Sequence, residues 1–248
     1  MSVRDKSGPI HGHDLYLSDP AEIERRSMAI IEAEAPKPLP FSELEWPIVR
    51  RMIHTTADFE LLRLTRFHAD AIEAGIAALR SGALIVTDTR MALSGIPMRR
   101  LEPLDCRKLC LMDDPRVIQR AKAEGITRAM AAVDLAFDLR AEIAPAAPLV
   151  FVIGNAPTAL VRLVRRLQAM EFPHDLPVAL IVGMPVGFVN AAESKELLVQ
   201  ASPAPWITVT GRKGGSPLAA SALNALAELA LQSLSAGRSA PRDDAAQT

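Results

Sequence analysis

A group of chemically active side chains lies in segment 50–58. It places His54 beside the hydroxyls of Thr55 and Thr56, the carboxylate of Asp58 and the guanidinium of Arg51. Histidine is the side chain whose unperturbed pKa lets it give or take a proton near neutrality. An acid/base residue among cations and hydroxyls suits proton-assisted rearrangement of an anionic substrate. A structural interpretation fits the segment as well, with His54 capping or hydrogen-bonding a helix end.

The bulk composition limits the classes of protein that this chain can represent. It has 248 residues, 49% of them hydrophobic, and a net charge of −1. This length suits one large domain or two small ones with a sizeable core. A nearly neutral chain is not expected to bind nucleic acid or an acidic membrane surface. The polar start of the sequence does not resemble a secretory signal and no apolar run is long enough to span a bilayer, so we expect a cytoplasmic protein.

The two cysteines, Cys106 and Cys110, are four residues apart in a predicted strand. Such residues lie roughly 13 Å apart, which is too far for a disulfide. We therefore expect two buried thiols in a reducing compartment. Because no further cysteine or histidine is close in sequence, a metal site is not expected.

Short apolar runs alternate with helical segments over most of the chain. The runs lack polar alternation, as is typical of strands covered on both faces. The predicted strands are 83–86, 109–112, 149–153, 178–182 and 206–209. The predicted helices are one that starts at Pro20 and those over 44–53, 59–66, 69–80, 114–124, 127–142, 156–170, 190–201 and 216–233.

This alternation predicts an α/β fold, a mostly parallel sheet flanked by helices in a single domain with a helical N-terminal segment. We expect a flexible leader over residues 1–17, the α/β domain over 18–233 and a disordered tail over 234–248. Ligands of such sheets lie beyond the carboxyl ends of the strands, so the loops there are the candidate functional segments.

The first two of these loops carry polar groups. The loop 87–96 contains Asp88, Thr89 and Arg90, of which a capping role explains Asp88 or Thr89 singly but not the whole cluster. In the loop 154–160, Asn155 could cap the following helix, and free N–H groups at that helix start could receive an anion.

The other two loops add apolar and basic character. The segment 184–188 is apolar where a loop should be polar, which indicates either a wall for a large ligand or interface packing. Arg212 and Lys213 lie among three glycines before a helix, which indicates an anion site, with a basic surface turn as the alternative. Neither a Walker motif nor a glycine fingerprint for a nicotinamide dinucleotide is present.

Taken together, these motifs resemble those of the precorrin-8X methylmutase family of corrinoid biosynthesis. The similar segments are 23–27, 51–59, 87–96, 114–116, 125–128, 154–160, 183–195 and 211–216. They occur in order and span about residues 18–232. The specificity of the resemblance comes from the ordered set and not from any single motif.

The resemblance implies an isomerase that moves a methyl group from ring carbon C11 to ring carbon C12 of precorrin-8X or cobalt-precorrin-8, giving hydrogenobyrinate or cobyrinate. It implies His54 as the proton donor or acceptor, Ser27 and Arg51 as substrate-binding residues, a homodimer, and no organic cofactor. Any cobalt would belong to the substrate, so no protein metal ligand is expected. Segments 53–58, 87–89, 91–96 and 125–128 look more like the branch that takes the cobalt-containing substrate.

We also expect several polar side chains to bind the macrocycle and its carboxylates. These candidates are Thr55, Thr89, Arg90, Arg128, Asn155, Arg212 and Lys213. Neighbouring enzymes of the corrinoid pathway are candidate partners. Two other functions remain open: a carrier that holds an unstable corrinoid without turnover, and a sugar- or nucleotide-phosphate enzyme with its anion site at 211–216.

Overall fold

The computed structural model describes residues 16–170 and 177–238 and contains one six-stranded sheet flanked by helices. The strands are β1 (Thr65–Phe67), β2 (Leu84–Thr87), β3 (Arg107–Cys110), β4 (Leu149–Ile153), β5 (Val178–Gly183) and β6 (Trp206–Val209). The helices are α1 (Pro20–Glu34), α2 (Trp46–Thr56), α3 (Leu61–Leu64), α4 (Ala71–Arg80), α5 (Arg90–Ser94), α6 (Met98–Leu101), α7 (Pro115–Glu124), α8 (Arg128–Ile143), α9 (Pro157–Gln168), α10 (Ala191–Ala201) and α11 (Ser216–Arg238).

The strand order across the sheet is β1-β6-β5-β4-β2-β3. All neighbouring strands are parallel except β1, which runs antiparallel to β6 with Thr65 opposite Val209. The prediction of a mostly parallel sheet flanked by helices is confirmed. The carboxyl ends of the five parallel strands share one edge, called the carboxyl edge below.

Side chains that alternate along the strands build two hydrophobic cores. Val150 and Val152 of β4 join the core formed with α1, α2, α4 and α11. Leu149, Phe151 and Ile153 of the same strand join the opposite core, formed with α7, α8, α9 and α10. A parallel sheet buried on both faces needs apolar residues on both faces, which explains strands without polar alternation.

Local capping fixes where the helices begin. The Asp19 carboxylate accepts a hydrogen bond from the Ala21 N–H at 3.1 Å, directly before Pro20 in the first turn of α1. Asp114 caps α7 in the same way, and Thr127 caps α8 by accepting from the N–H of Met130 at 3.2 Å. Each side chain satisfies an N–H group that lacks a partner inside the helix.

Four local predictions were wrong. The predicted helix over 59–66 ends at Leu64, and the chain continues as β1, which pairs with β6. The predicted strand at 109–112 lies two residues earlier, and the short helices α5 and α6 were missed. Helix α11 continues to Arg238, so residues 234–238 of the predicted disordered tail are helical. The leader up to residue 15 and the tail after residue 238 lie outside the described residues.

Both cysteines are free thiols, as predicted. Cys106 is buried before β3, donates to the Leu79 carbonyl at 3.1 Å, and has its pKa raised by burial to about 11. Cys110 ends β3 and is only half-buried, unlike the buried thiol that was expected. Within residues 16–170 and 177–238, no group of three or more histidine, cysteine or acidic residues could hold a metal ion. No helix in these ranges is long and apolar enough to cross a membrane.

Candidate active site

Helix α2 presents Arg51 and His54 on one side because its apolar residues occupy the other. Ile48, Val49 and Met52 are fully buried against the core. Arg51 and His54, three residues apart, are therefore neighbours on the half-buried face of the helix. The helix ends where Ala57 adopts a left-handed conformation with φ of 53°.

Arg51 lies between two carboxylates from other helices. Its Nη1 donates to Glu24 Oε1 of α1 at 2.7 Å, and its Nη2 donates to Glu228 Oε2 of α11 at 3.1 Å. Glu228 also accepts from Arg100 of α6, with Nη2 to Oε1 at 2.6 Å. Four helices thus hold two guanidiniums and two carboxylates together, and this group is called the Glu228 cluster below.

The charges of this cluster favour the ionised forms of Glu24 and Arg51. The hydrogen bond from Arg51 lowers the pKa of Glu24, and the nearby charge of His54 contributes to the same shift. Burial opposes the charge on Arg51, but hydrogen bonds and charges from Glu24 and Glu228 outweigh it and raise the pKa of the guanidinium. A balanced, partly exposed set of charges can exchange one partner for a ligand carboxylate of the same charge.

The two predicted hydroxyl contacts near His54 are engaged with their own helices. Ser27 lies one turn after Glu24 on α1, and its Oγ donates to the Ile23 carbonyl at 2.8 Å. Thr55 Oγ1 donates to the Arg51 carbonyl at 2.9 Å. Both oxygens retain lone pairs, so each can still accept a hydrogen bond.

A second group of contacts fixes the turn after α2. Lys213 Nζ lies 2.5 Å from both Asp58 Oδ2 and Glu60 Oε2, which together raise the pKa of this lysine. The Lys213 carbonyl accepts at 2.5 Å from Nζ of Lys195, a fully buried residue of α10. These contacts connect the loop after β6 to α10 and to the turn that follows α2.

A side chain of the protein occupies the backbone N–H groups of residues 154–156, just before α9, so these groups are not open to a ligand anion. Asp88 accepts from the backbone N–H groups of Gly154 at 3.0 Å, Asn155 at 2.7 Å and Ala156 at 2.7 Å. Burial raises the pKa of Asp88, and these three hydrogen bonds offset part of that rise. Asp88 from another loop therefore fixes the turn just before α9, and Asn155, which was expected to cap this helix, is exposed and does not cap it.

The same edge brings the loops after β2 and β4 against the start of α11. Thr89 Oγ1 lies 2.7 Å from Ser216 Oγ and also caps α5 by accepting from the N–H of Ala92. A Cβ on Gly154 would lie only 2.5 Å from Ser216 Cα, so only glycine permits this backbone approach.

Arg90 and Arg128 form a separate group beyond this edge. Arg90 Nε donates to Asp113 Oδ2 at 2.5 Å, and Arg128 Nη1 lies 3.9 Å from Asp113 Oδ1. Both guanidiniums are largely exposed. Since β3 and β6 are separated by three strands, the group lies roughly 19 Å across the sheet from the loop of Lys213.

The apolar segment after β5 reaches the surface. Phe188 is 84% exposed and Val189 is 76% exposed, whereas Met184 and Pro185 are buried. The Arg212 guanidinium lies over the Phe188 ring, with 5.4 Å between its Cζ and the ring centroid. Both the ligand-wall and the interface interpretations of this segment require such exposure.

The structure thus distributes the predicted site residues over several places. Ser27, Arg51, His54 and Thr55 lie on α1 and α2, whereas Thr89 lies at the carboxyl edge beside Ser216. Ser216 and Glu228 both belong to α11 and lie roughly 18 Å apart along its axis. Arg51 lines a cavity of about 150 Å³, smaller than the several hundred Å³ typical of small-molecule sites.

Glu24, Arg100 and Glu228 were missed as neighbours of Arg51. A usable signal existed for Glu228, the one charged residue in the apolar stretch 225–231 of α11. A lone carboxylate in such a stretch needs a cation from elsewhere in the fold. Sequence reasoning could have identified the need for a partner but not that Arg51 and Arg100 supply it.

The fold and the site define an α/β protein that carries a histidine beside paired arginines and carboxylates. Residues 22–229 match the family described as precorrin-8X methylmutase. The cobalt-precorrin-8 methylmutase of Salmonella typhimurium is 45% identical over 215 residues, covering 85% of this chain and 96% of that protein. The precorrin-8X methylmutase of a Sinorhizobium species is 41% identical over 213 residues, covering 86% and 96%.

A solved structure gives the same result. The crystal structure of precorrin-8X methyl mutase from Thermus thermophilus has a TM-score of 0.75 to this chain at 45% identity, covering 86% of this chain and 97% of that one. The chain belongs to the precorrin-8X methylmutase family. It is an isomerase of cobalamin biosynthesis.

Proposed function

We propose that this enzyme moves a methyl group between adjacent ring carbons, C11 to C12, of a precorrin-8-type macrocycle, with His54 as the proton donor and acceptor. The observation that carries the proposal is the position of His54 beside Arg51 on the half-buried face of α2. Here a proton can be exchanged at the macrocycle while a guanidinium holds one of its carboxylates.

Arg51 binds the substrate by exchanging partners. Glu24 is half-exposed on α1 and occupies Nη1 of the guanidinium. A substrate acetate or propionate group takes that place, with Glu228 remaining on Nη2. The guanidinium then presents a fixed fork to the incoming carboxylate, which a lysine could not do.

His54 lowers the barrier by moving a proton at the ring. Protonation of a ring position withdraws electron density from the conjugated system, which makes migration of the neighbouring methyl group easier. General acid/base assistance of this kind typically accelerates a reaction by about 10²–10⁴-fold. Holding the macrocycle in its reactive conformer adds to this effect.

We further propose that the preferred substrate is cobalt-precorrin-8. The support comes from segments 53–58, 87–89, 91–96 and 125–128, which resemble the cobalt branch of the family. The relatives from Salmonella typhimurium and Leptospira interrogans, 45% and 42% identical, are cobalt-precorrin-8 methylmutases. Cobalt is part of the substrate in this proposal, so the protein need not ligate it.

Visible absorption time courses test the proposed reaction and the preferred substrate. Purified enzyme is mixed in parallel with precorrin-8X and with its cobalt complex. We expect a shift to the corrin-type product spectrum, faster with the cobalt complex. Binding with no spectral shift for either of the two compounds would contradict the methyl transfer and support a corrinoid carrier.

The role of His54 has its own test. We expect His54→Ala to lower turnover by about 10²–10⁴-fold and to leave macrocycle binding nearly unchanged. The matched control is His68→Gln, since His68 lies at the sheet edge against Trp206. Near-normal turnover of the His54→Ala enzyme would remove His54 from the proton transfer.

We also propose that the enzyme is a homodimer. Helix α1 supports this because Ile23 and Ile30, two turns apart on one side, are 42% and 56% exposed. Light scattering after size exclusion should give twice the chain mass, and Ile30→Glu should shift the enzyme towards the monomer. A monomer at all concentrations of the unmodified protein would refute the proposal. The cytoplasmic location stays a prediction.

A further inference from the structure

A cavity of about 310 Å³ lies between α8 and α9, on the face of the sheet opposite to His54. Its wall includes the side chains of Arg162, Arg165 and Arg166 from α9 and of Asp134 from α8. Nothing in the proposed methyl transfer uses these residues. Three guanidiniums and one carboxylate leave a net charge of +2 on the wall.

Two of these arginines, Arg162 and Arg166, are held in fixed positions. Asp134 is completely buried and accepts from Arg162 Nη2 at 2.8 Å and from Arg166 Nη1 at 3.1 Å. Arg120 of α7 places its Nη2 3.5 Å from the same carboxylate. The Arg166 guanidinium also lies on the Phe137 ring, 4.5 Å from its centroid. Guanidiniums fixed in this way lose little conformational entropy when they bind a ligand.

A structural role for Asp134 accounts for only part of this arrangement. Arg162 alone binds both oxygens of Asp134, through Nε and Nη2, which suffices to neutralise one buried carboxylate. Arg166 brings a second cation to the carboxylate, and Arg165 adds a third to the cavity wall with no ion pair among the described residues. Cations in excess of their counter-ions repel one another unless a further anion joins them.

The wall also contains an unused hydrogen-bond donor. Arg166 Nε is buried and has no acceptor within the described residues. A buried donor without a partner is unfavourable, so a ligand that supplies an acceptor gains free energy from this group. The donor forks of Arg162 and Arg166, in contrast, are only partly used by Asp134.

We propose that this cavity is a binding site for a compact oxyanion of the phosphate class. A phosphate group offers several acceptor oxygens to the arginine forks and supplies the charge that balances the wall. The cavity volume exceeds that of a bare phosphate, so a phosphorylated small molecule also fits. The site is separate from the proposed methyl-transfer site, and its ligand would act at a distance from His54.

Calorimetric titration with inorganic phosphate tests this site on the full-length protein. The probe is compared with sodium chloride at equal ionic strength, so that general screening cancels. We expect saturable phosphate binding that is weakened about tenfold in Arg165→Met and in Arg166→Met. Arg162 stays in place in both variants, so Asp134 keeps its main partner.

Arg116→Met is the matched control, since Arg116 is an exposed arginine paired with Asp114 at the start of α7. It should bind phosphate like the unmodified protein. Absence of saturable binding at millimolar phosphate, or equal weakening in all three variants, would overturn the proposal. A change of oligomeric state in Arg165→Met or Arg166→Met would overturn it too, by showing that a second copy covers this face. Phosphorylated small molecules that bind more tightly than phosphate would identify the natural source of the anion.

Discussion

Two groups of arginines and carboxylates lie on opposite faces of the sheet and differ in depth and balance. Glu228 is 33% exposed and pairs with Arg51 and Arg100, and Arg51 also pairs with Glu24, so cations and anions are equal in number. Asp134 is completely buried, and three arginines surround it. The comparison indicates that the Glu228 cluster can exchange an ion-pair partner at low cost. Asp134 instead has a fixed structural role, and the arginines around it carry more positive charge than it neutralises.

The largest expected difference between the clusters is in stability. We expect Asp134→Asn to lower the free energy of unfolding by up to about 3–5 kcal/mol, because the partly exposed arginines around this buried carboxylate lose their counter-ion. Glu228→Gln, at a partly exposed site, should cost about 1 kcal/mol or less. Urea denaturation followed by circular dichroism measures both. Equal losses in the two variants would refute the distinction between a fixed and an exchangeable cluster.

The comparison extends to Lys195, a buried cation whose one side-chain hydrogen bond within the described part of the chain is to the Lys213 backbone carbonyl. Burial lowers its pKa to about 8 from an ordinary value of 10.5. Above pH 8 the folded protein releases this proton before the unfolded chain does, so the unfolded chain binds more protons. The Lys195 contribution to stability should therefore rise by at most about 3 kcal/mol between these pKa values.

The measurement is the free energy of unfolding as a function of pH in the unmodified protein and in Lys195→Met. The variant should lack the rise above pH 8 that the unmodified protein shows. Lys122→Met, at an exposed position on α7, serves as the control and should retain that rise. Identical pH profiles for the unmodified protein and Lys195→Met would show that Lys195 does not titrate in this range.

Replacing the planar guanidinium of Arg51 in the Glu228 cluster should have a smaller effect, and it concerns substrate binding. Arg51→Lys should weaken macrocycle binding about tenfold, since an ammonium cannot hold Glu228 and a substrate carboxylate in one plane. The neighbouring Arg50, which pairs with Glu32 at 2.5 Å, provides the control variant Arg50→Lys. Fluorescence or absorption titration with the cobalt substrate measures both. Equal affinities for the two variants would place the substrate carboxylate away from Arg51.

Sequence patterns correctly predicted the elements whose conformation depends on local interactions or on burial of both faces of a strand. β4 and β6 have the predicted bounds because continuous apolar runs permit few other environments in an α/β sheet. β1 was predicted as the end of a helix because residues 59–66 have an apolar helical pattern. Its pairing with β6, more than 130 residues later, outweighs that local preference.

The contacts of the candidate site also differ in how far the sequence could predict them. Arg51 and His54 were predicted from the sequence as close in the chain. Their position on one helix was not predicted, because the predicted helix ended at Ile53 and α2 continues to Thr56. The partners of Asp88, Glu228 and Asp134 come from distant segments, so spacing could not identify them. Asp134 did leave a signal, since it is the one charged residue in the otherwise buried apolar stretch 131–137.

The contrast between the two thiols has a practical consequence for spectroscopy. Cys106 is buried with its pKa raised to about 11, so little of it is the thiolate that reacts with alkylating reagents. Cys110 is half-buried at the end of β3. The unmodified chain therefore offers one attachment point for a fluorophore or spin label. A probe attached there would report optically or magnetically on events at this side of the carboxyl edge, with no engineered cysteine.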